Sequence, residues 1–135
     1  MSELRVTVHH RKALQVEARA RTHTIVVDRP ADLGGEDLGM TIGEVFLSSL
    51  GACTLLTVLS FCKNNGIPIE GGEVHLSADL AEHPKRIGAI RQQLLLNGKI
   101  DAPLAERLAR VAGGCAVHNT LEHSPALHLT VEGTN

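Results

Sequence analysis

Aromatic residues are nearly absent from this sequence. It has no tryptophan and no tyrosine, and its only phenylalanines are Phe46 and Phe61. The hydrophobic core must therefore be built from aliphatic side chains. Proteins that bind nucleic acid usually stack bases on aromatic rings or present a basic surface. Because this chain has few rings and a net charge of −2, no nucleic-acid partner is expected.

Cysteine is also scarce, with three residues in 135. An odd and small number of cysteines does not suit the disulfide framework of a small secreted domain. The first ten residues contain no apolar segment of signal-peptide length. We therefore expect a cytoplasmic protein whose cysteines are packed, metal-bound or catalytic.

One apolar segment, residues 42–62, is long enough to cross a bilayer. It carries Glu44 and several hydroxyl side chains, and no basic residues precede it. Helices that are apolar all round also occur in the cores of soluble proteins. We interpret the segment as a buried central helix, with no membrane partner, in a single domain that covers residues 1–135.

The spacing of apolar residues predicts the fold. Alternation predicts strands at residues 4–8, 14–18, 23–28, 73–80, 87–96 and 127–131. Helices are predicted at residues 41–65, after Asp101 with Pro103 in the first turn, and at residues 115–123. This order predicts an α+β fold with antiparallel sheets around a long buried central helix.

Cys115 is a candidate for chemistry because it follows Gly113 and Gly114 and starts a helix. Unpaired N–H groups at a helix start stabilise a thiolate. This position predicts that the pKa of the Cys115 thiol lies at or below that of Cys53. His118 follows one turn later and could add charge or accept a proton. A packing cysteine beside a surface histidine is an equally good interpretation.

The other two cysteines lie on the long helix. Composition alone favours Cys53 as a small buried apolar residue, although Gly51 and Ala52 leave space beside it. Cys62 follows nine residues later, which places it on the opposite helix face. We interpret Cys62 as structural.

Glu44 has a structural interpretation as well. Thr41 and Glu44 have the spacing of a capping box, in which each residue satisfies a backbone N–H of the other. A metal module would use Cys115, His118 and His123, but a second cysteine pair is missing. We expect no metal and no cofactor.

Two motifs together resemble the OsmC/Ohr family of thiol-dependent peroxide-handling proteins. The first is Gly51-Ala52-Cys53-Thr54 on the apolar helix, preceded by the Gly34-Gly35 loop. The second runs from Gly114-Cys115-Ala116-Val117 to Leu121, about sixty residues later. The resemblance covers nearly the whole chain.

The resemblance implies an intertwined homodimer with long central helices and active sites at the interface. It implies that Cys53 attacks an organic hydroperoxide and becomes a sulfenic acid. Cys115 would then form a disulfide with Cys53, and an external dithiol would reduce it.

The resemblance also implies two supporting residues, and here the sequence departs from the family pattern. Peroxidases of the family carry a glutamate ten residues before the first cysteine, where this chain has Gly43 and Glu44 lies one step later. The glutamate holds an arginine against the thiolate. Arg11 is the best match, with Arg19 and Arg21 as competitors. The implied catalytic set is therefore Cys53, Cys115, Arg11 and Glu44.

A second function remains open at this point. The apolar helix and Gly43 also fit a non-catalytic relative that binds a small ligand or lipid.

Overall fold

The computed structural model of this chain describes residues 3–134. The chain forms two compact units, residues 1–49 and residues 50–135. The first unit holds strands β1 (Thr7–His10), β2 (Val16–Ala20) and β3 (His23–Val27), and one turn of 3-10 helix at Ala31–Leu33. Helix α1 (Ile42–Asn64) begins in the first unit and ends in the second, which holds β4 (Gly72–Ala81), β5 (Arg86–Leu96), α2 (Ala102–Ala112) and α3 (Ala116–Glu122). The predicted α+β class is confirmed, and a single domain over residues 1–135 remains a prediction.

The three strands of the first unit form an antiparallel sheet in the order β1-β2-β3. Val8 pairs with Ala18, and Ala18 pairs with Ile25, so these residues share one face. Val8 is 58% exposed and Ile25 is 50% exposed. The prediction of a half-buried strand at residues 4–8 was wrong in both its bounds and its burial. Alternation shows which side chains share a face, but it does not supply the layer that buries them.

A buried carboxylate organises the loop between β3 and α1. Asp28 is only 3% exposed, and its carboxylate accepts N–H bonds from Arg29, Glu36 and Leu38 at 2.7, 3.2 and 3.1 Å. Gly35 is required in this loop, because an added Cβ would lie 2.0 Å from the carbonyl oxygen of Arg29. The Asp28 carboxylate therefore accepts the hydrogen bonds of three backbone N–H groups in a segment that belongs to no strand or helix.

Helix α1 begins and ends as predicted. Thr41 Oγ1 accepts the N–H of Glu44 at 3.2 Å, and Glu44 Oε1 accepts the N–H of Thr41 at 2.9 Å, which confirms the capping box. Gly66 at φ +64° follows the helix end. The buried residues of α1 form one stripe at helical spacing, namely Leu50, Gly51, Thr54, Val58 and Cys62. Within one chain, burial of this apolar helix is thus limited to one face.

The second unit packs α1 and α2 on a long hairpin. Strands β4 and β5 pair antiparallel. Gly72 pairs with Leu96 at one end of the hairpin, and Ala81 pairs with Arg86 at the other. Its buried core is Val58, Cys62 and Leu108, so Cys62 is a packing residue, as its position on the helix predicts. Asp101 caps α2 by accepting the N–H of Leu104 at 2.9 Å, which confirms the predicted start of that helix.

The predicted final strand is absent from the described part of the chain. Residues 124–134 form no strand, and Leu127, Leu129 and Val131 are each 89% exposed. Apolar and polar residues do alternate in this segment, but a strand also needs the edge of another strand to pair with its backbone N–H and C=O groups.

We predict that Asp28→Asn lowers the melting temperature at neutral pH. Burial raises the pKa of Asp28. The N–H groups of Arg29, Leu38 and Glu36 lower it by more than burial raises it, so the pKa lies below the ordinary value of 3.8. A carboxylate with a lowered pKa stabilises the fold above its unfolded pKa, and this contribution is lost as the pH falls through the folded pKa. Melting curves followed by circular dichroism should show a difference between the variant and wild type that disappears in acid. Asp32→Asn, in the same loop and exposed, is the control. A pH-independent difference would contradict the prediction.

Candidate active site

The structure brings Cys53 and Cys115 together in the second unit. Helix α1 presents Cys53, which is half-buried, whereas Cys115 is 1% exposed. The Gly113-Gly114 turn ends α2 and places Cys115 as the N-cap of α3, where its Sγ accepts the N–H of His118 at 3.3 Å. The Cys53 and Cys115 thiols shift one another's pKa, which places the two side chains side by side. Two cysteines about sixty residues apart in sequence thus form one site.

The surroundings of Cys53 favour a thiolate. Burial raises its pKa, but hydrogen bonds from Cys115 Sγ–H, the backbone N–H groups of Val117 and Ala116, and the side chain of Thr57 lower it. The net effect is a pKa below the ordinary value of a cysteine thiol. All four donors are neutral, so dipoles rather than a cation lower the pKa of Cys53.

The surroundings of Cys115 have the opposite effect. Burial raises its pKa, and its hydrogen bond to Cys53 raises it further, against the lowering effect of the His118 N–H. The prediction that Cys115 has the lower or equal pKa was therefore wrong. The N–H groups of Ala116 and Val117 lower the pKa of Cys53. At Cys115, the lowering effect of the His118 and Val117 N–H groups is outweighed by burial and by the neighbouring Cys53 thiol.

The imidazole of His118 is engaged away from the sulfurs. Its Nε2 pairs with the Glu122 carboxylate one turn later on α3, and only its backbone N–H contacts Cys115. His123 Nδ1 contacts the carbonyl oxygen of Asn119 at 3.1 Å. Among residues 3–134, no group of three His, Cys, Asp or Glu side chains is arranged to hold a metal ion.

Glu44 and Arg11 belong to the first unit. Glu44 closes the capping box described above, and the N–H of Arg11 bonds to the carbonyl of Gln15 in the turn between β1 and β2. Of the competitors, Arg19 pairs with Glu17 at 2.7 Å, and Arg21 has a positive φ of 56° between β2 and β3. The catalytic roles of Arg11 and Glu44 stay predictions.

The sequence interpretation missed Thr57 and the amides of Ala116 and Val117. Thr57 could have been found, because it follows Cys53 by four residues and so shares its helix face. The amides could not have been found, since the direction of a helix start relative to a distant residue is a tertiary property.

A cavity of about 590 Å³ lies beside α2 in the same unit. Its walls are mostly apolar, and the pair formed by Thr54 Oγ1 and Gln92 Oε1 at 2.8 Å supplies the polar part. The lining residues are Thr54, Gln92, Leu94, Leu95, Leu96, Gly98, Ile100, Ala105, Leu108, Ala109 and Ala112. None carries a charge, so the cavity suits a neutral apolar molecule.

We predict that Cys115→Ala and Cys115→Ser have different effects on Cys53. Alanine removes the donor to the Cys53 thiolate, so the pKa of Cys53 should rise; serine keeps an O–H donor and should preserve the low pKa. At neutral pH, alkylation of Cys53 should be about tenfold slower in Cys115→Ala, as expected for the loss of a hydrogen bond to a charged group. Alkylation rates against pH, measured in a Cys62→Ser background, provide the test. Equal profiles for the two variants would show that the contact does not control the thiolate.

Comparison with known proteins agrees with the two cysteine motifs. The family model described as OsmC-like protein matches residues 34–130, which is more than half of the chain. No curated protein matches significantly.

Several solved structures share the fold. The OsmC-like protein from Mycoplasma pneumoniae is 18% identical, with 91% of this chain and 89% of that chain covered and a TM-score of 0.80. An organic hydroperoxide resistance protein OsmC from Legionella pneumophila is 18% identical over 90% of each chain, with a TM-score of 0.64. The organic hydroperoxide resistance protein OhrB of Bacillus subtilis is 19% identical over 91% of this chain and 93% of that chain, with a TM-score of 0.62. With the matching family model and the shared fold, this chain belongs to the OsmC family.

Proposed function

We propose that this protein is a thiol-dependent peroxidase that reduces organic hydroperoxides in the cytoplasm. The observation that carries the proposal is the contact between the Cys115 thiol and a Cys53 sulfur whose pKa is lowered. The proteins from Legionella pneumophila and Bacillus subtilis named above are both described as organic hydroperoxide resistance proteins. Neighbouring cysteines whose pKa values are shifted in opposite directions are typical of reactive sites rather than of packing.

The first step uses the thiolate of Cys53. Its sulfur attacks the terminal oxygen of the hydroperoxide; the S–O bond forms as the O–O bond breaks, the hydroxyl group passes to sulfur, and the departing alkoxide takes a proton from solvent and leaves as the alcohol. Cys53 becomes a sulfenic acid, a two-electron oxidation of sulfur. The donors around the sulfur favour this role for Cys53, because the thiolate and not the thiol is the nucleophile.

The second step uses Cys115. Its sulfur attacks the sulfenic sulfur, the S–O bond breaks, and the hydroxyl group leaves as water with the proton of Cys115. An external dithiol then reduces the Cys53–Cys115 disulfide by exchange and is itself oxidised to a disulfide. The two thiols already lie close enough to shift one another's pKa, and a disulfide between them requires Cα atoms about 4.4–6.8 Å apart.

We predict a division of labour among the three cysteines. Cys53→Ser should abolish dithiol-dependent consumption of an organic hydroperoxide, because the nucleophile is lost. Cys115→Ser should consume one equivalent and then stall as a sulfenic acid on Cys53. Cys62→Ser should retain turnover, because Cys62 lies in the hydrophobic core. Peroxide consumption and mass spectrometry after labelling with a sulfenic-acid probe measure all three.

The same experiment separates this proposal from its alternative. Full turnover by Cys53→Ser, or labelling of Cys62, would refute the assignment. If no cysteine reacts with any peroxide and native mass spectra show a bound apolar molecule, the protein is a small-ligand or lipid-binding member of the family. The cavity beside α2 is the specific observation that favours this second function.

We also propose that the protein is a homodimer. Only one stripe of α1 is buried within the chain, and Leu56 on this helix is 66% exposed. The extended segment 124–134 exposes Leu127, Leu129 and Val131 almost completely. Large apolar side chains exposed in this number mark a protein interface, and a second copy of the chain is the partner that we propose.

We predict that light scattering at micromolar concentration gives about twice the 14.4 kDa of one chain. The double variant Leu127→Asp and Leu129→Asp should shift the protein to monomer or lower its melting temperature strongly, because it buries charge in the interface. His128→Asp, between them on the alternating segment, is the matched control and should have a smaller effect. A monomer at all concentrations in the wild type would contradict the prediction.

A further inference from the structure

We infer that the cavity beside α2 is a binding site for a neutral molecule with an apolar body and one hydrogen-bond acceptor, which the side-chain amide of Gln92 recognises. The cavity lies within the second unit, between α1, β5 and α2. The site is additional to the pair of cysteines, and the inference holds whichever of the two functions proposed above is correct.

Three alanines on α2 leave the space for a ligand. Ala105, Ala109 and Ala112 line the cavity, and their spacings of four and three residues place them on one helix face. On β5, Leu94 and Leu96 line the same cavity. Methyl groups reach less far than the larger apolar side chains that usually fill the space between a helix and a sheet. The remaining volume of about 590 Å³ is in the range that holds a drug-sized molecule.

The side-chain amide of Gln92 has a fixed orientation. Thr54 is 4% exposed, and its Oγ1 lies 2.8 Å from Gln92 Oε1. Ser48, Ser49 and Thr120 donate their hydroxyl protons to carbonyl oxygens of their own helices, whereas among the described residues Thr54 bonds only to Gln92. Because a buried hydroxyl group is rarely left without an acceptor, Thr54 donates to Gln92, and the amide oxygen faces Thr54.

This orientation leaves the nitrogen of the Gln92 amide available to a ligand. Nε2 carries two N–H donors, and within the described part of the chain the side chain of Gln92 makes only the bond to Thr54. Since Nε2 can only donate, the complementary group of a ligand is an acceptor, such as the oxygen of a ketone, an ester or an ether. Thr54 is buried and Gln92 is exposed, so the acceptor would meet the amide near the opening of the cavity.

The lining of the cavity excludes a charged ligand. None of the described residues that line it carries a charge. Lys99 stands between the lining residues Gly98 and Ile100, but it borders a different depression together with Glu70. An ionised molecule would lose its hydration in the cavity without gaining a partner of opposite charge. The ligand class is therefore neutral.

The cavity is separate from the cysteine pair. Neither Cys53 nor Cys115 is among its lining residues. Thr54 follows Cys53 by one residue on α1, so the two side chains point about 100° apart around the helix axis. A molecule in the cavity therefore needs no peroxide group.

The test compares three naphthalenes that differ in one substituent. We expect the wild type to bind 2-acetylnaphthalene about fivefold more tightly than 2-ethylnaphthalene, because only the ketone accepts a hydrogen bond from the amide. The anion 2-naphthoate should not bind. Ligand-observed NMR titrations measure all three affinities. At saturating 2-acetylnaphthalene, the rate of Cys53 alkylation by iodoacetamide should be unchanged.

Two independent variants locate the site. Gln92→Glu keeps the acceptor for Thr54 but removes the N–H donors, so it should abolish the preference for 2-acetylnaphthalene over 2-ethylnaphthalene. Gln93→Glu makes the same change of charge on the neighbouring residue, which does not line the cavity, and should keep the preference. Ala109→Leu fills the cavity and should abolish binding of both molecules. Ala102→Leu, on the same helix and outside the cavity, should bind as the wild type does.

Several results would overturn the inference. Equal affinities of the wild type for the ketone and the hydrocarbon, an unchanged preference in Gln92→Glu, or full binding by a folded Ala109→Leu variant would each do so. Protection of Cys53 from iodoacetamide would place the ligand at the sulfur instead. If neither neutral naphthalene binds and Ala109→Leu shifts the protein to monomer in light scattering, a second copy of the chain occupies the cavity.

None of these measurements depends on peroxidase activity. If the wild type reduces no hydroperoxide and the three naphthalenes bind as expected, the proposed peroxidase function is wrong and the ligand site stands. If the wild type reduces hydroperoxides and the naphthalenes do not discriminate, the proposed function stands and the ligand site is wrong.

Discussion

The second unit of this protein is arranged around one contact, that between the sulfur of Cys53 and the start of helix α3. The contact depends on three local features. Helix α2 ends at Ala112, Gly113 and Gly114 turn the chain, and the sulfur of Cys115 caps the start of α3. The contact also requires α1 to keep a fixed position on the hairpin, which the core of Val58, Cys62 and Leu108 provides. Because the donors are backbone amides and short side chains, a small displacement of either helix would remove the hydrogen bonds to the sulfur. The packing of the core therefore also determines the reactivity of Cys53.

The contact also makes the two cysteines unequal. Two neighbouring thiols do not readily both lose their protons, because each negative charge disfavours the other. The thiolate is favoured on the sulfur with more donors, which is Cys53. Cys115 accepts one N–H bond from His118 but gives its own proton to the contact. Two chemically identical side chains thus become one thiol that loses its proton more readily and one that retains it.

The sequence was informative wherever local chemistry determines the structure. The capping box at Thr41 and Glu44, the Asp101 cap and the glycines before Cys115 each specify a helix boundary through contacts within a few residues. It was misleading where a distant partner decides the outcome. The alternation of Leu127, Leu129 and Val131 predicts a strand, yet this segment pairs with no strand among residues 3–134. The start of α3 was correctly identified as a thiolate-stabilising element, but which sulfur its amides approach depends on the packing of α3 against α1.

The neutrality of the four donors has a consequence for the redox cycle. In the proposed peroxidase cycle, the site would hold a thiolate, then a sulfenic acid, then a disulfide, and only the first of these is charged at sulfur. A partly buried cation beside Cys53 would stabilise the thiolate but would lose its partner at oxidation, and an unpaired buried charge is costly. Amide, hydroxyl and thiol donors leave no net charge behind, and the sulfenic oxygen can accept hydrogen bonds from the same groups. The four donors around Cys53 can therefore form hydrogen bonds in each state of the proposed cycle. Because they are neutral, they leave no unpaired charge beside the oxidised sulfur.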